Sequence, residues 1–272
     1  HALGLDVPIY VQYGRWWGVV PQADGSLSGI IQGDLGRSLW EKTEVADEIA
    51  ARIPVTAVLL AMAILVAVII SFPVAILSAV RQDSIGDYIG RTIAILCMAV
   101  PSFWLGTMVM VFPALWWEWS PPIRFVPFTE NPLASLQQLI IPAVIVGFTI
   151  AGINMRFLRT AMLNVLRQDY VRTAWSKGLR ERVVILRHVL KNALIPVTTV
   201  WGIQIAYMIG GSIIVEKIFA LPGLGRLIVD ATFDRDYTIV SGVMITLAVI
   251  VMFINVFIDI TYSWLDPRIR FK

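Results

Sequence analysis

Residues 53–80 read IPVTAVLLAMAILVAVIISFPVAILSAV, 28 residues between Arg52 and Arg81 without one charge. As a helix, such a run is about 42 Å long. The hydrocarbon core of a bilayer is about 30 Å thick and asks for roughly 20 apolar residues. Four more charge-free gaps have the same character: 26 residues from Arg91 to Glu118, 25 from Glu130 to Arg156, 24 from Lys191 to Glu216 and 22 from Asp236 to Asp259. Helices in soluble cores rarely run so far without a charge. The pattern predicts an all-α, polytopic membrane bundle with five spans. Pro73, Pro101 and Pro113 fall inside these gaps, where a bundled membrane helix tolerates them.

Composition points the same way. The chain is 57% hydrophobic and 15% charged, against about 45–50% and about 25% for soluble domains. Disorder is excluded on that ground, and the composition argues strongly against a water-soluble globule. The net charge of +3 makes no case for a nucleic-acid partner. Cys97, the single cysteine, cannot form an internal disulfide and reads as an apolar packing residue. There is no Gly-Lys dipeptide and hence no P-loop. His1 and His188 cannot supply a His-x-x-x-His zinc site, and no G-x-S-x-G nucleophile elbow occurs. No catalytic group, cofactor or metal is expected in this chain. Asp259 is the one acid read as lying inside a span. It reads as a helix-end residue with water or an arginine for a partner, with proton or sodium coupling as the other reading.

Orientation follows from Lys and Arg. If residue 1 is external, the outside segments 1–52, 118–130 and 216–236 hold 8 basic residues. The inside segments 81–91, 156–191 and 266–272 then hold 14, nine of them in 156–191. The expected organisation is an external region over 1–52 with short helical pieces and a transmembrane domain over 53–265. That domain includes the cytoplasmic segment 156–191, and a cytoplasmic tail follows over 266–272. Trp116, Trp117 and Trp119 suit an aromatic belt at the external end of the second span. An external His1 is explained most simply by a further span preceding it, with a processed signal peptide as the alternative.

Segment 156–191 is too patterned for a plain loop. Asp169 can cap a helix with Val171, Ala174 and Trp175 at helical spacing. Lys177 and Gly178 would end it, the glycine in a left-handed C′ conformation. A second run from Arg180 sets Val183, Val184, Leu186, Val189 and Leu190 on an apolar stripe leading to Pro196. Two readings follow: a basic helix held by lipid headgroups, or a docking helix for a cytoplasmic partner. Phe219 with Pro222, Gly223 and Gly225 likewise reads either as a re-entrant external turn at a substrate entrance or as a turn serving packing alone. Asn192 stands where it could bond backbone or a partner.

Residues 169–179, Asp-Tyr-Val-Arg-Thr-Ala-Trp-Ser-Lys-Gly-Leu, resemble the coupling loop of ABC importer permeases. They resemble most the peptide subgroup, written Tyr-[Val/Ile]-Arg-Thr-Ala-x-x-Lys-Gly-Leu. Ala174, Gly178 and Leu190 match the general loop. Arg172, Thr173, His188 and Lys191 depart from it in the way the peptide subgroup does. Leu3-Gly4-Leu5-Asp6, Gly33 to Ser38, Pro222 to Arg226, Arg235-Asp236-Tyr237 and Asp266 to Arg270 continue the likeness in order. Together they resemble the B-type permease of the dipeptide, oligopeptide and nickel group, whose first span would lie before His1.

The resemblance implies half of a translocation pathway in a prokaryotic plasma membrane. It implies a second homologous permease, two cytoplasmic ATPase subunits carrying ATP and Mg²⁺, and an extracytoplasmic substrate-binding protein. Asp169, Tyr170, Arg172, Thr173, Ala174, Trp175, Lys177, Gly178 and Leu179 would form the ATPase-coupling joint. Ala174 would be the small residue on the face that enters the ATPase. Peptide is the implied substrate, with nickel or another small solute as the alternative within the family. The rival of another class is an ion-coupled secondary transporter or channel.

Overall fold

The computed structural model describes residues 6–122 and 124–265. The Leu3–Leu5 and Asp266–Arg270 motifs fall outside them, as does the side chain of Asp259. A short helix α1 (Ile9–Trp17) and a single 3₁₀ turn (Ile30–Gln32) precede α2 (Val45–Val80). There follow α3 (Ile85–Ala99), α4 (Ser102–Trp117), α5 (Pro132–Leu166) and α6 (Asp169–Ser176). The rest is α7 (Glu181–Ile218), α8 (Leu224–Phe233) and α9 (Tyr237–Leu265).

Four of these, α2, α5, α7 and α9, are each long and apolar enough to cross a membrane. The fifth expected span is not one helix. Helices α3 and α4 meet at 89°, so Pro101 does not sit inside a helix as expected. It lacks an N–H and crowds Val100 out of the helical region; Val100 is extended, with φ −86° and ψ 117°. Pro54, Pro73, Pro113, Pro142 and Pro196 all lie inside helices. Helix α2 also begins eight residues ahead of the apolar run quoted above, so that Glu48 and Arg52 pair on its second turn.

Lipid is as apolar as leucine, so helices in a bilayer associate through close packing of small residues rather than by burying large ones. In α2 the buried face is Leu59, Ala63, Ala67, Ser71, Ala75 and Ala79, one residue every fourth position. Its large residues Leu65, Ile69 and Leu77 point away from the bundle and are exposed. The small face lies along α5. At the crossing, a Cβ on Gly147 would come 2.5 Å from the Ala63 carbonyl oxygen, so only glycine allows the two backbones to approach. Cys97 is buried where α3 meets α5 near Ala151 and Met155, as its apolar context predicts.

Candidate functional site

Helix α5 ends at Leu166, and Gln168, extended at φ −77° and ψ 146°, is the residue before α6. Asp169 is therefore the first helical residue rather than the cap, a shift of one position. Its carboxylate makes no capping bond; it is nearly fully exposed, 3.8 Å from Arg172. An acid there still opposes the positive end of the helix dipole. The other end of α6 follows expectation. Gly178 has φ +74° and donates its N–H to the Trp175 carbonyl at 2.9 Å. The left-handed turn aims the chain at Arg180, the extended residue before α7.

The faces of α6 differ sharply. Val171 and Ala174 are buried with Ala75 and Ala79 of α2, Leu158 and Met162 of α5, and Val184, Ile185 and Val189 of α7. Ala174 thus faces the bundle, which corrects its assignment to the outward face. Its small size is set by close packing on α2, α5 and α7. The outward face holds Asp169, Tyr170, Arg172, Thr173, Trp175, Lys177 and Leu179. The expected stripe on α7 needs a second correction. Val184–Leu190 is π-helical, and the wider turn carries Val183 and Leu186 outward while Val184, Ile185 and Val189 are buried. A period longer than 3.6 residues moves the register in this way. Asn192 Nδ2 bonds the His188 carbonyl at 2.6 Å.

Near α6 lies a buried ion cluster that the charge-gap reading treated as a loop boundary. Asp87 is fully buried. Arg159 grips it with a two-pronged fork, Nη2 to Oδ2 at 2.7 Å and Nε to Oδ1 at 2.8 Å. Ser78 donates its hydroxyl to Asp87, and the Asp83 N–H reaches Oδ2 at 3.0 Å. One carboxylate so joins the end of α2, the start of α3 and the last turns of α5. Paired this way a buried charge is tolerable; with one partner removed it is costly.

At the opposite end of the bundle, Glu216 is fully buried in the last turn of α7. Thr56 donates to its Oε1 at 2.8 Å, and the Gly225 and Arg226 N–H groups reach Oε2 at 2.7 and 3.2 Å. Thr56 Oγ1 in turn accepts from the Leu224 N–H at 2.9 Å. The side chains of α2 and α7 so satisfy the N–H groups at the start of α8, which no intrahelical carbonyl can reach. The motif glycines are explained by the same contact. A Cβ on Gly223 would fall 2.3 Å from Glu216 Oε2, and one on Gly225 2.5 Å from Ile213 Cα. Phe219 is buried and Pro222 half-buried, so the turn is a pinned, packed element. Beyond it, Asp236 accepts from Ser38 Oγ at 2.5 Å, from the Leu39 N–H at 2.9 Å and from the Ile239 N–H at 3.2 Å. That ties the N-terminal region to the start of α9. Asp87, Glu216 and Asp236 are three buried acids that the spacing of charges does not announce. Each closes a charge-free gap or stands beside one, so by spacing alone it reads as a boundary.

Four long apolar helices, a bent fifth pair and a short two-faced surface helix between two spans define a multi-pass membrane protein. The chain belongs to the family described as binding-protein-dependent transport system inner membrane component, which matches residues 71–271. Its relatives include a putative peptide transport system permease protein of Brucella abortus (strain 2308), 40% identical over 99% of this chain and 82% of that protein. The oligopeptide transport system permease protein AppB of Bacillus subtilis (strain 168) is 38% identical, over 98% and 83%. The glutathione transport system permease protein GsiC of Salmonella paratyphi A is 35% identical, over 99% and 82%. Among solved structures, a chain of the MetNI methionine ABC transporter in an inward-facing conformation has a TM-score of 0.65 at 15% identity. It matches 80% of this chain and 96% of its own. A chain of an amino acid ABC transporter has a TM-score of 0.61 at 10% identity, over 80% and 94%. These two are similar in fold.

Proposed function

We propose that this permease subunit imports peptides, driven by ATP that partner subunits hydrolyse, with α6 as the joint to an ATPase. The observation that carries this reading is the two-sidedness of α6. Its outer side is exposed, aromatic and charged, with Asp169, Tyr170, Arg172, Trp175 and Lys177, while Val171 and Ala174 seat it on α2, α5 and α7. A push on the outer side is therefore delivered to three helices at once. The distribution of Lys and Arg supports a cytoplasmic position for 156–191 and for the C-terminus, with residue 1 outside. Relatives named for peptide, oligopeptide and glutathione transport support a peptide-class substrate.

The mechanism follows from packing. ATP-driven closure of two ATPases, which hold the ATP and Mg²⁺, displaces α6. The ends of α2, α5 and α7 move with it, and the Asp87–Arg159 fork makes α3 follow. A second homologous permease completes the pathway, and an extracytoplasmic binding protein delivers the substrate. This chain supplies no catalytic group. Asp87 and Glu216 are each held by at least three donors, and the acid that ion coupling would use, Asp259, has its side chain outside the described residues. The test is reconstitution of the affinity-tagged chain with its co-expressed partners in liposomes, with uptake of a labelled oligopeptide as readout. Uptake should require ATP and the binding protein, and the tag should recover one further permease and an ATPase. Uptake driven by a proton or sodium gradient without ATP would overturn the reading.

A further inference from the structure

A cavity of about 400 Å³ opens between α2, α3 and α5, toward the end of the bundle that carries α6. Its inner wall is apolar, formed by Ala94, Ile95, Met98 and Met155. Its rim carries Arg91, Arg156 and Arg159. Arg156 is the first charge after the 25 uncharged residues 131–155, so the rim lies where the hydrocarbon core meets the headgroups. The apolar wall runs from there along α3 and α5 into the core. The rim has charge to spare. Asp87 is the acid among its buried neighbours, and Arg159 already holds it. Arg91 Nη2 stands 3.2 Å from Asp87 and 3.8 Å from Asp83, with its guanidinium over the Tyr88 ring, so three rim arginines face two acids. Arg156 is exposed, beside the Phe157 ring and with no carboxylate in ion-pair range among the described residues. A neutral lipid or an apolar helix would leave the Arg156 guanidinium unanswered at the membrane surface.

We infer that this cavity is a binding site for an anionic phospholipid, the phosphate between Arg91 and Arg156 and an acyl chain along Ile95, Met98 and Met155. Charge complementarity decides the occupant. Basic pockets between spans take anionic headgroups, and each arginine near the surface contributes enough to change affinity about fivefold. The inference needs only that the chain spans a membrane, and it stands whatever the transported solute is. The occupied site would brace α3 against α5 beside the Asp87–Arg159 fork.

The test uses the chain purified with its co-expressed partners, exchanged into nanodiscs of phosphatidylglycerol and phosphatidylcholine in equal parts. Lipid retained through a second detergent extraction is counted by native mass spectrometry. Phosphatidylglycerol should be retained at least fivefold over phosphatidylcholine. Arg156→Gln should cut that retention about fivefold, and Ile95→Trp, which fills the apolar wall, should cut it as well. Arg182→Gln, an exposed basic residue outside the cavity, should leave it unchanged. Inorganic phosphate at millimolar concentration should not displace the lipid, since it lacks the chain. Four results would overturn the assignment. They are equal retention of the two lipids, retention indifferent to both cavity variants, displacement by free phosphate, or a photo-crosslinker at Met98 capturing a protein segment in place of lipid.

Discussion

Glu216 shows how much one side chain can carry in a membrane bundle. Its carboxylate has no basic partner among the described residues. Instead it accepts from Thr56, Gly225 and Arg226, and it lies at the positive end of α8. Glu216→Ala leaves three buried donors without an acceptor, and unanswered donors of this kind together cost roughly 3 kcal/mol or more. Thr56→Val removes one donor and one acceptor while keeping the shape, at about 1–2 kcal/mol. Thermal unfolding of the purified chain, followed by tryptophan fluorescence, should rank them in that order, with Glu216→Ala the lower-melting; equal melting temperatures would contradict the network. Gly178 makes the contrasting case. Nothing lies within 4 Å of a Cβ added there, so the penalty is the left-handed backbone alone, about 1–2 kcal/mol. Gly178→Val should therefore reach the membrane at near-normal abundance but lose most of its ATP-dependent uptake. Wild-type uptake would show that the direction of this turn is immaterial.

At the scale of elements, α6 is legible in the sequence at its ends and not in its orientation. Gly178 announces the stop, and Val171 with Ala174 announces a face. Which side of a short helix turns inward depends on what waits there, and Ala75, Leu158 and Val184 come from three other helices. For the same reason the bend at Val100 escapes a count of charges. The gap from Arg91 to Glu118 has the length of one span, and only the backbone preference imposed by Pro101 betrays the break. The π-helical turn at Val184–Leu190 leaves no compositional mark at all. The corrected face of α6 has a direct consequence. Ala174→Glu drives a charge against α2 and α5, so α6 should come off the bundle and ATPase co-purification should fall. Thr173→Glu, one residue away, points outward and should leave thermal stability unchanged. Equal melting temperatures for the two variants would contradict the burial of Ala174.

At the scale of the whole molecule, alternating access needs a compliant end and a firm one. The basic end holds α6, the π-helical turn and the Asp87–Arg159 cluster. The opposite end is knitted by Glu216 and Asp236 across α2, α7, α8, α9 and the N-terminal region. The proposed topology has the first end in the cytoplasm. In a Cys97→Ser background, an impermeant maleimide applied to intact cells should label Ser26→Cys and spare Ser176→Cys. The reverse pattern would invert the bundle. The class of protein was legible from the spacing of charges, because a bilayer sets a length that few other environments require. The buried acids were not, since in sequence a carboxylate satisfied by distant N–H groups cannot be told from one at a membrane surface. The central claim is that the outward face of α6 meets an ATPase. Photo-crosslinkers placed singly at residues 170–177 in the assembled transporter test it most directly. Crosslinks to a nucleotide-binding subunit are expected from positions 170, 172, 173, 175, 176 and 177, with none from 171 and 174. Crosslinking without that periodicity, or to no nucleotide-binding subunit from any position, would contradict it.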